Sequence, residues 1–185
     1  MKKGNLFVIS GPSGVGKDTI IEELLKEDEN IWLSISMTTR EKRDHEEDKV
    51  HYYFVTKEEF QKHIELENLL EYEEVYHDIF YGTPKDKVIE KLEAGKNVIL
   101  KIDVKGGINV KKAFNEATLI MLVPPTLEEL KKRLTKRNTE DQAKQQERLE
   151  RANLELSYQD KYDYVVVNDD IKDATKRVLE IIKSK

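Results

Sequence analysis

The chain has no cysteine, only four prolines and eight glycines among its 185 residues, and no apolar run near the roughly 18 residues that a membrane helix needs. Lack of cysteine excludes disulfides and thiolate metal sites, which fits a reducing compartment. No apolar signal segment follows the first residues, Met1 to Gly4, so we expect a cytoplasmic protein with no membrane partner. Without a proline- or serine-rich linker, a single compact domain is expected.

The chain also has no overall excess of positive charge. The formal net charge is −5, although 37% of the residues are charged. A general attraction to the nucleic acid backbone is therefore not expected, and nucleic acid is not predicted as a partner. Any basic residues that bind a ligand must act locally.

A glycine-rich segment, GPSGVGKDT at residues 11–19, lies between an apolar run and a helical pattern. It fits the phosphate-binding template GxxxxGK[ST], in which backbone N–H groups and the lysine bind phosphates and the hydroxyl binds Mg²⁺, except that Asp18 replaces the hydroxyl. A glycine-rich turn without a ligand is the alternative. The predicted ATP-binding residues here are Gly11, Pro12, Ser13, Gly14, Val15, Gly16, Lys17, Asp18 and Thr19.

Four continuous apolar runs predict parallel strands buried on both faces, and each is followed by a helical pattern. The helix starts carry capping signals: Thr56 with Glu59, Thr126 with Glu129, and Thr83 as N-cap before Pro84. Together these features predict a doubly wound α/β core. The runs are Leu6 to Ser10, Asn97 to Ile102, Ala117 to Val123 and Tyr164 to Val167.

Two segments differ from this core. Residues 34–83 contain short polar strands, many tyrosines and one helix from Lys57 to about Glu67, which predicts an inserted α+β subdomain. Residues 131–151 are helical and highly charged, with Leu134 and Leu149 as their main apolar anchors. We interpret them as a moving lid, the alternative being an ordinary solvated helix.

The segment SMTTREKRDHEEDKVHYYFV at residues 36–55 resembles the guanylate kinase signature, T[ST]Rxx[KR]xx[DE]xx[GA]xxYx[FY]. Every fixed position matches except Lys49, where Gly or Ala is usual. The resemblance covers nearly the whole chain, through residues 81–84, 102–104, 124–125 and 167–169 and the arginines at 133, 137 and 148.

The resemblance implies a P-loop nucleoside monophosphate (NMP) kinase fold, in which helices flank a parallel-sheet core. It implies Mg²⁺ with ATP as phosphoryl donor and GMP as acceptor, in purine nucleotide metabolism. The expected parts are a core (about 1–33, 84–126 and 152–185), an NMP-binding subdomain (34–83) and a lid (127–151).

The acceptor phosphate is dianionic, so Arg40 and Arg43 are suitable fork-shaped donors, and Tyr52 and Tyr81 can add hydroxyls. A solvated basic turn and two packing tyrosines are the alternatives. Guanine offers donors at N1 and N2 that a carboxylate can accept. The resemblance places Glu71 there, with Ser36, Thr83 and Asp103 near the base. From composition alone, Glu71 is a surface charge.

Phosphoryl transfer needs positioning and charge neutralisation more than a covalent nucleophile. By resemblance, the residues expected to act on the transferring group are Lys17, Arg40, Arg137 and Arg148. Arg133 is expected to contact ATP from the lid, and Asn168 to border the adenine.

Two departures from the family pattern lie near the expected metal. Asp18 replaces Ser or Gly, and Lys101 replaces Glu or Asp. A carboxylate about 4 Å from a phosphate charge faces roughly 4 kcal/mol of repulsion. We expect Asp18 to pair with Lys101 when the site is empty, and either to keep that pair or to turn to Mg²⁺ when ATP arrives. The alternative is that the two changes are unrelated and Asp18 replaces the hydroxyl as a direct Mg²⁺ ligand.

Two other functions remain open at this point. One is a guanylate kinase-like phosphopeptide-binding module without ATP chemistry, and the other is a related kinase acting on a ribose bisphosphate. The oligomeric state, monomer or homodimer, is also open.

Overall fold

A computed structural model describes residues 3–76, 78–136 and 142–185, which form nine strands and seven α-helices. The strands are β1 (Leu6–Ser10), β2 (Ile31–Leu33), β3 (Met37–Thr38), β4 (Tyr53–Phe54), β5 (Leu69–Tyr76), β6 (Ile79–Pro84), β7 (Asn97–Lys101), β8 (Thr118–Val123) and β9 (Tyr164–Val167). The helices are α1 (Lys17–Glu27), α2 (Lys57–Glu65), α3 (Lys85–Glu93), α4 (Val104–Ala113), α5 (Leu127–Lys136), α6 (Gln142–Leu156) and α7 (Ile171–Lys183).

The first sheet contains five parallel strands in the order β2-β7-β1-β8-β9. The four strands predicted from apolar runs are confirmed within one residue at each end. The fifth strand, β2, was not predicted because its three residues are too few to show a periodic pattern. Since the sheet is parallel, the carboxyl ends of β1 and β7 lie at one edge, where a ligand site is expected.

Apolar side chains cover both faces of this sheet. On one face, Phe7 and Ile9 of β1 pack with buried residues of α1 and α7. On the other, Leu6 and Val8 pack with residues of α3 and α4. Because every residue of β1 is buried, this strand holds the loop after it in a fixed position.

The second sheet has four strands in the order β4-β3-β6-β5, with β3 antiparallel to β6 and β6 antiparallel to β5. Helix α2 begins with the predicted capping box, in which Thr56 and Glu59 exchange hydrogen bonds. The cap predicted at Thr83 is wrong. Pro84 ends β6 and directly precedes α3, while the Thr83 hydroxyl donates to Glu71 Oε1 at 2.7 Å.

Helices α5 and α6 contact each other through a small cluster in which Leu130, Leu134 and Ala152 are buried and Leu149 is partly buried. The predicted Thr126 cap is present, since its hydroxyl accepts from the Glu129 N–H at 3.1 Å. Within the three described ranges, no helix has the length and apolar character to cross a membrane.

Candidate active site

The phosphate loop, residues 11–19, joins β1 to α1 and takes its shape from glycine. Gly14 and Gly16 have φ angles of 81° and 101°, values that side chains disfavour. A Cβ on Gly16 would lie 2.5 Å from Asn168 Nδ2. This turn directs the first N–H groups of α1 toward the cavity, where they favour an anion.

Lys17 lies at the start of α1, with its ammonium folded back over the loop. Its Nζ donates to the carbonyls of Gly11 and Pro12. Burial lowers the pKa of Lys17 to about 8, opposed by the charges of Glu155 and Asp18. The lysine is therefore mainly charged at neutral pH, as a phosphate ligand requires.

Asp18 and Lys101 form the ion pair that the sequence indicated. Lys101 Nζ lies 2.6 Å from Asp18 Oδ1, although the two residues are 83 positions apart. Burial opposes the charge of Lys101, but the Asp18 carboxylate raises its pKa above the ordinary value. An ammonium thus neutralises the carboxylate beside the phosphate loop.

A Mg²⁺ ion fits this site as a companion of nucleotide phosphates. In the described part of the chain, no three His, Cys, Asp or Glu side chains cluster as a metal cage. Mg²⁺ needs no such cage, because it is often held by one carboxylate, substrate phosphates and water. Asp18 is the carboxylate at the loop, with a side chain that is 62% exposed.

Arg40 is held in a rigid cluster beneath the second sheet. Its Nη1 and Nη2 donate to the two Glu46 oxygens at 2.9 and 2.8 Å, and its Nε donates to Tyr81 Oη at 3.1 Å. The Arg43 N–H also donates to Glu46. The bond from Arg40 lowers the pKa of Glu46 to about 2. Glu46, absent from the predicted site, therefore positions the side chain of Arg40 and the backbone of Arg43.

Two predicted base-site carboxylates approach each other beside α4. Glu71 is 8% exposed, and burial raises its pKa to about 7, with the Asp103 charge adding to the shift. Asp103 Oδ1 accepts from the Gly106 N–H at 2.7 Å. A Cβ on Gly106 would lie 3.0 Å from Glu71 Oε2 and 3.1 Å from Asp103 Oδ1. The glycine thus lets both carboxylates approach the same backbone.

A cavity of about 520 Å³ lies between the two sheets and α6. The predicted site residues that line it are Gly11, Ser13, Gly14, Gly16, Lys17, Asp18, Ser36, Arg43, Tyr52, Glu71, Tyr81, Asp103 and Arg148.

Other predicted site residues lie behind the lining. Asn168 Nδ2 donates to Val15 O at 2.7 Å, and Arg133 Nη1 donates to Asn168 O at 3.1 Å. These two side chains support the phosphate loop from behind, and their contact with ATP stays a prediction. Arg137 lies outside the described residues. The remaining residues of this group are Pro12, Val15, Thr19, Arg40 and Thr83.

Helix α6 contributes two lining residues that were not predicted, Arg151 and Glu155. Arg151 lies three residues after Arg148 and Glu155 four residues after Arg151, so all three share one helix face. That spacing was the available signal. Burial raises the pKa of Glu155, while Arg151 and Lys17 oppose the shift.

A family model described as guanylate kinase matches residues 3–185. The guanylate kinase of Clostridium tetani is 47% identical over 184 residues, covering 100% of this chain and 88% of that protein. The chain belongs to the guanylate kinase family. A second guanylate kinase, from Oceanobacillus iheyensis, is 48% identical over 183 residues, covering 99% and 88% of the two chains.

Solved structures agree with this assignment. The crystal structure of guanylate kinase from Anaplasma phagocytophilum matches with a TM-score of 0.82 at 33% identity, covering 99% of this chain and 86% of that one. The resemblance and the predicted fold are thus confirmed. As a guanylate kinase family enzyme, the chain is a transferase of the nucleoside monophosphate kinase class.

Proposed function

We propose that this enzyme transfers the γ-phosphoryl group of ATP to GMP, giving ADP and GDP, as a step of purine nucleotide metabolism. The observation that carries the proposal is that one cavity is lined both by the phosphate loop and by Glu71, Tyr81 and Arg43. A donor and an acceptor phosphate in one cavity can be held in line for direct transfer.

On the donor side, the N–H groups of the phosphate loop and Lys17 bind the β- and γ-phosphates. Asp18 would hold Mg²⁺ that arrives with ATP, and the ion would neutralise phosphate charge. Arg148 lines the cavity from α6. We propose that Arg148 and Arg137 stabilise the negative charge that develops on the transferring phosphoryl group.

On the acceptor side, Arg40 and Arg43 with Tyr52 and Tyr81 bind the GMP phosphate. Arg40 is preorganised by Glu46 and Tyr81, which lowers the cost of ordering it when GMP binds. Glu71 accepts from guanine N1 and N2, and Ser36, Thr83 and Asp103 complete the base site. Adenine offers an acceptor at N1 and would leave Glu71 poorly paired.

We further propose that the parts move as a core, an NMP-binding subdomain (34–83) and a lid (127–151). The fixed backbone of β1 and the phosphate loop supports the first part, and the separate second sheet supports the second. Closure of these parts over both substrates would exclude water and limit ATP hydrolysis.

A coupled assay of ADP release with GMP, AMP, UMP and a ribose bisphosphate tests the function. Of the four acceptors, we expect only GMP to give rapid ADP release. For Lys17→Met we expect kcat with GMP to fall about 10³-fold. Lys26→Met is the matched control, because Lys26 is exposed on the same helix and pairs with Glu23. If the ribose bisphosphate and not GMP gave ADP release, the ribose bisphosphate would be the acceptor. No ADP release with any acceptor would indicate a binding module.

A further inference from the structure

The guanidinium of Arg151 lies where three parts of the fold meet. Its Nη1 donates to Val75 O of β5 at 3.3 Å, and its Nη2 lies 4.0 Å from Asp103 Oδ2 in the turn before α4. Its Nε donates to Glu155 Oε1 at 3.1 Å, one turn along α6. One side chain therefore connects α6 with β5 and with the turn before α4.

The charges around Arg151 are mostly negative. Asp103 and Glu155 flank it, and the side chain of Glu71 approaches Asp103 at Gly106. Carboxylates this close repel one another, so the cation beside them holds Asp103 and Glu155 in place. A planar guanidinium suits this position because its N–H groups point to several acceptors at once.

We propose that Arg151 is a positioning residue for the acceptor nucleotide, which holds Asp103 and the end of β5 against α6 and so shapes the base-binding end of the cavity. It acts through Asp103 and the β5 backbone. The inference rests on the proposed function, since it takes GMP as the acceptor.

Steady-state kinetics give the first test. For Arg151→Ala we expect the KM for GMP to rise roughly tenfold, about 1.4 kcal/mol, while the KM for ATP stays within about twofold. For Arg151→Lys the KM for GMP should lie between those of the unaltered enzyme and Arg151→Ala, because lysine keeps the positive charge but lacks the planar guanidinium with its several N–H donors. Arg177→Ala is the matched control, since Arg177 is an exposed arginine on α7 that pairs with Glu180 at 3.2 Å.

A distance measurement gives the second test and does not depend on turnover. The chain has no cysteine, so Lys62→Cys on α2 and Asn153→Cys on α6, both exposed positions, can carry a specific pair of spin labels. We expect one narrow distance distribution with Arg151 present, and a broader or longer one in the Arg151→Ala background without nucleotide.

Three results would overturn the inference: an unchanged KM for GMP in Arg151→Ala, an equal rise of both KM values, or identical distance distributions. If Arg151→Ala does not fold, Arg151→Lys still provides the KM comparison. Failure of the proposed function looks different, because the unaltered enzyme would then not phosphorylate GMP at all.

Discussion

The donor end and the acceptor end of the cavity are built from different parts of the chain. The proposed donor end is centred on one continuous segment, residues 11–19, whose backbone N–H groups and glycine φ angles form the phosphate loop, with Lys101 of β7 and Arg148 of α6 beside it. The proposed acceptor end takes side chains from β5 and β6, from Ser36 just before β3, and from the loop before β4. A backbone site tolerates few conformations, whereas a side-chain site depends on partners that hold each group in place.

The same contrast appears in how each end balances charge. At the donor end, Asp18 and Lys101 pair at the cavity surface, with side chains 62% and 31% exposed. At the acceptor end, Arg40 and Glu46 pair under the sheet, with side chains 15% and 7% exposed. Because water screens the first pair more strongly, we expect changes at the second to have larger effects.

Removing the buried partner should damage the acceptor end most. For Glu46→Gln we expect kcat/KM for GMP to fall about 10²-fold and unfolding to cost about 2 kcal/mol less, with the KM for ATP little changed. Glu47→Gln, at the exposed neighbouring position, is the control. A proportional rise in both KM values would show that Glu46 supports the whole fold and not the acceptor end.

The stability of the same pair depends on pH in a defined direction. The pKa of Glu46 is lowered from 4.5 to about 2, so its contribution is complete above pH 4.5 and is lost as the pH falls through about 2. Chemical unfolding between pH 2 and 6 should show a steeper loss of stability in the unaltered protein than in Glu46→Gln.

Glu71 makes the proposed acceptor end sensitive to pH near neutrality. Burial raises its pKa to about 7, and only the ionised form accepts from both guanine donors. We expect the KM for GMP to be roughly tenfold higher at pH 6 than at pH 8. The GMP phosphate titrates in the same way when Glu71→Gln is assayed. The difference between the two proteins in how the KM for GMP depends on pH therefore reports the titration of Glu71. Parallel profiles would remove Glu71 from the base site.

A double-mutant cycle tests whether the surface pair matters at the donor end. We expect Asp18→Ser and Lys101→Glu each to lower kcat/KM about fivefold, and the double variant to lose less than their product, with a coupling of about 1 kcal/mol. ATP affinity should be measured with and without Mg²⁺. Additive losses would contradict the pairing, and a loss of Mg²⁺ affinity in Asp18→Ser whatever residue occupies 101 would favour direct metal binding.

The smallest effect is expected at Lys49, between the two ends, in the loop before β4. Its φ is 64°, a left-handed conformation that costs a side chain roughly 1 kcal/mol. Lys49→Gly should stabilise the protein by about 0.5 kcal/mol, because the greater freedom of the unfolded chain offsets part of the gain. Denaturant unfolding measures it, and Lys49→Ala, which keeps the Cβ, should give no gain.

Much of the donor end was predictable because its determinants are local. The apolar run, the glycine spacing and Lys17 all lie within one short segment, and the structure gives them the strand, turn and helix that this order predicts. The four strands of buried apolar residues were predictable for the same reason, because each is a local run of apolar residues. The three-residue strand β2 was missed because short segments take their conformation from their neighbours.

The residues proposed for the acceptor end were indicated by the family resemblance and not by a local pattern. Composition alone made Glu71 a surface charge, whereas the structure buries it against Thr83. The signature contains Glu46 but not its role, which depends on the geometry of Arg40.

The sequence by itself thus determined the α/β order, the phosphate loop and the family. These follow from periodicity, backbone preferences and motif spacing, which act over a few residues. Only the tertiary structure decided that Lys101 meets Asp18 across 83 positions, a pairing that the sequence left open, that Thr83 donates to Glu71 instead of capping α3, and that Arg151 joins α6 to β5 and to the turn before α4. Such contacts depend on how separate elements pack, and no local pattern encodes that packing.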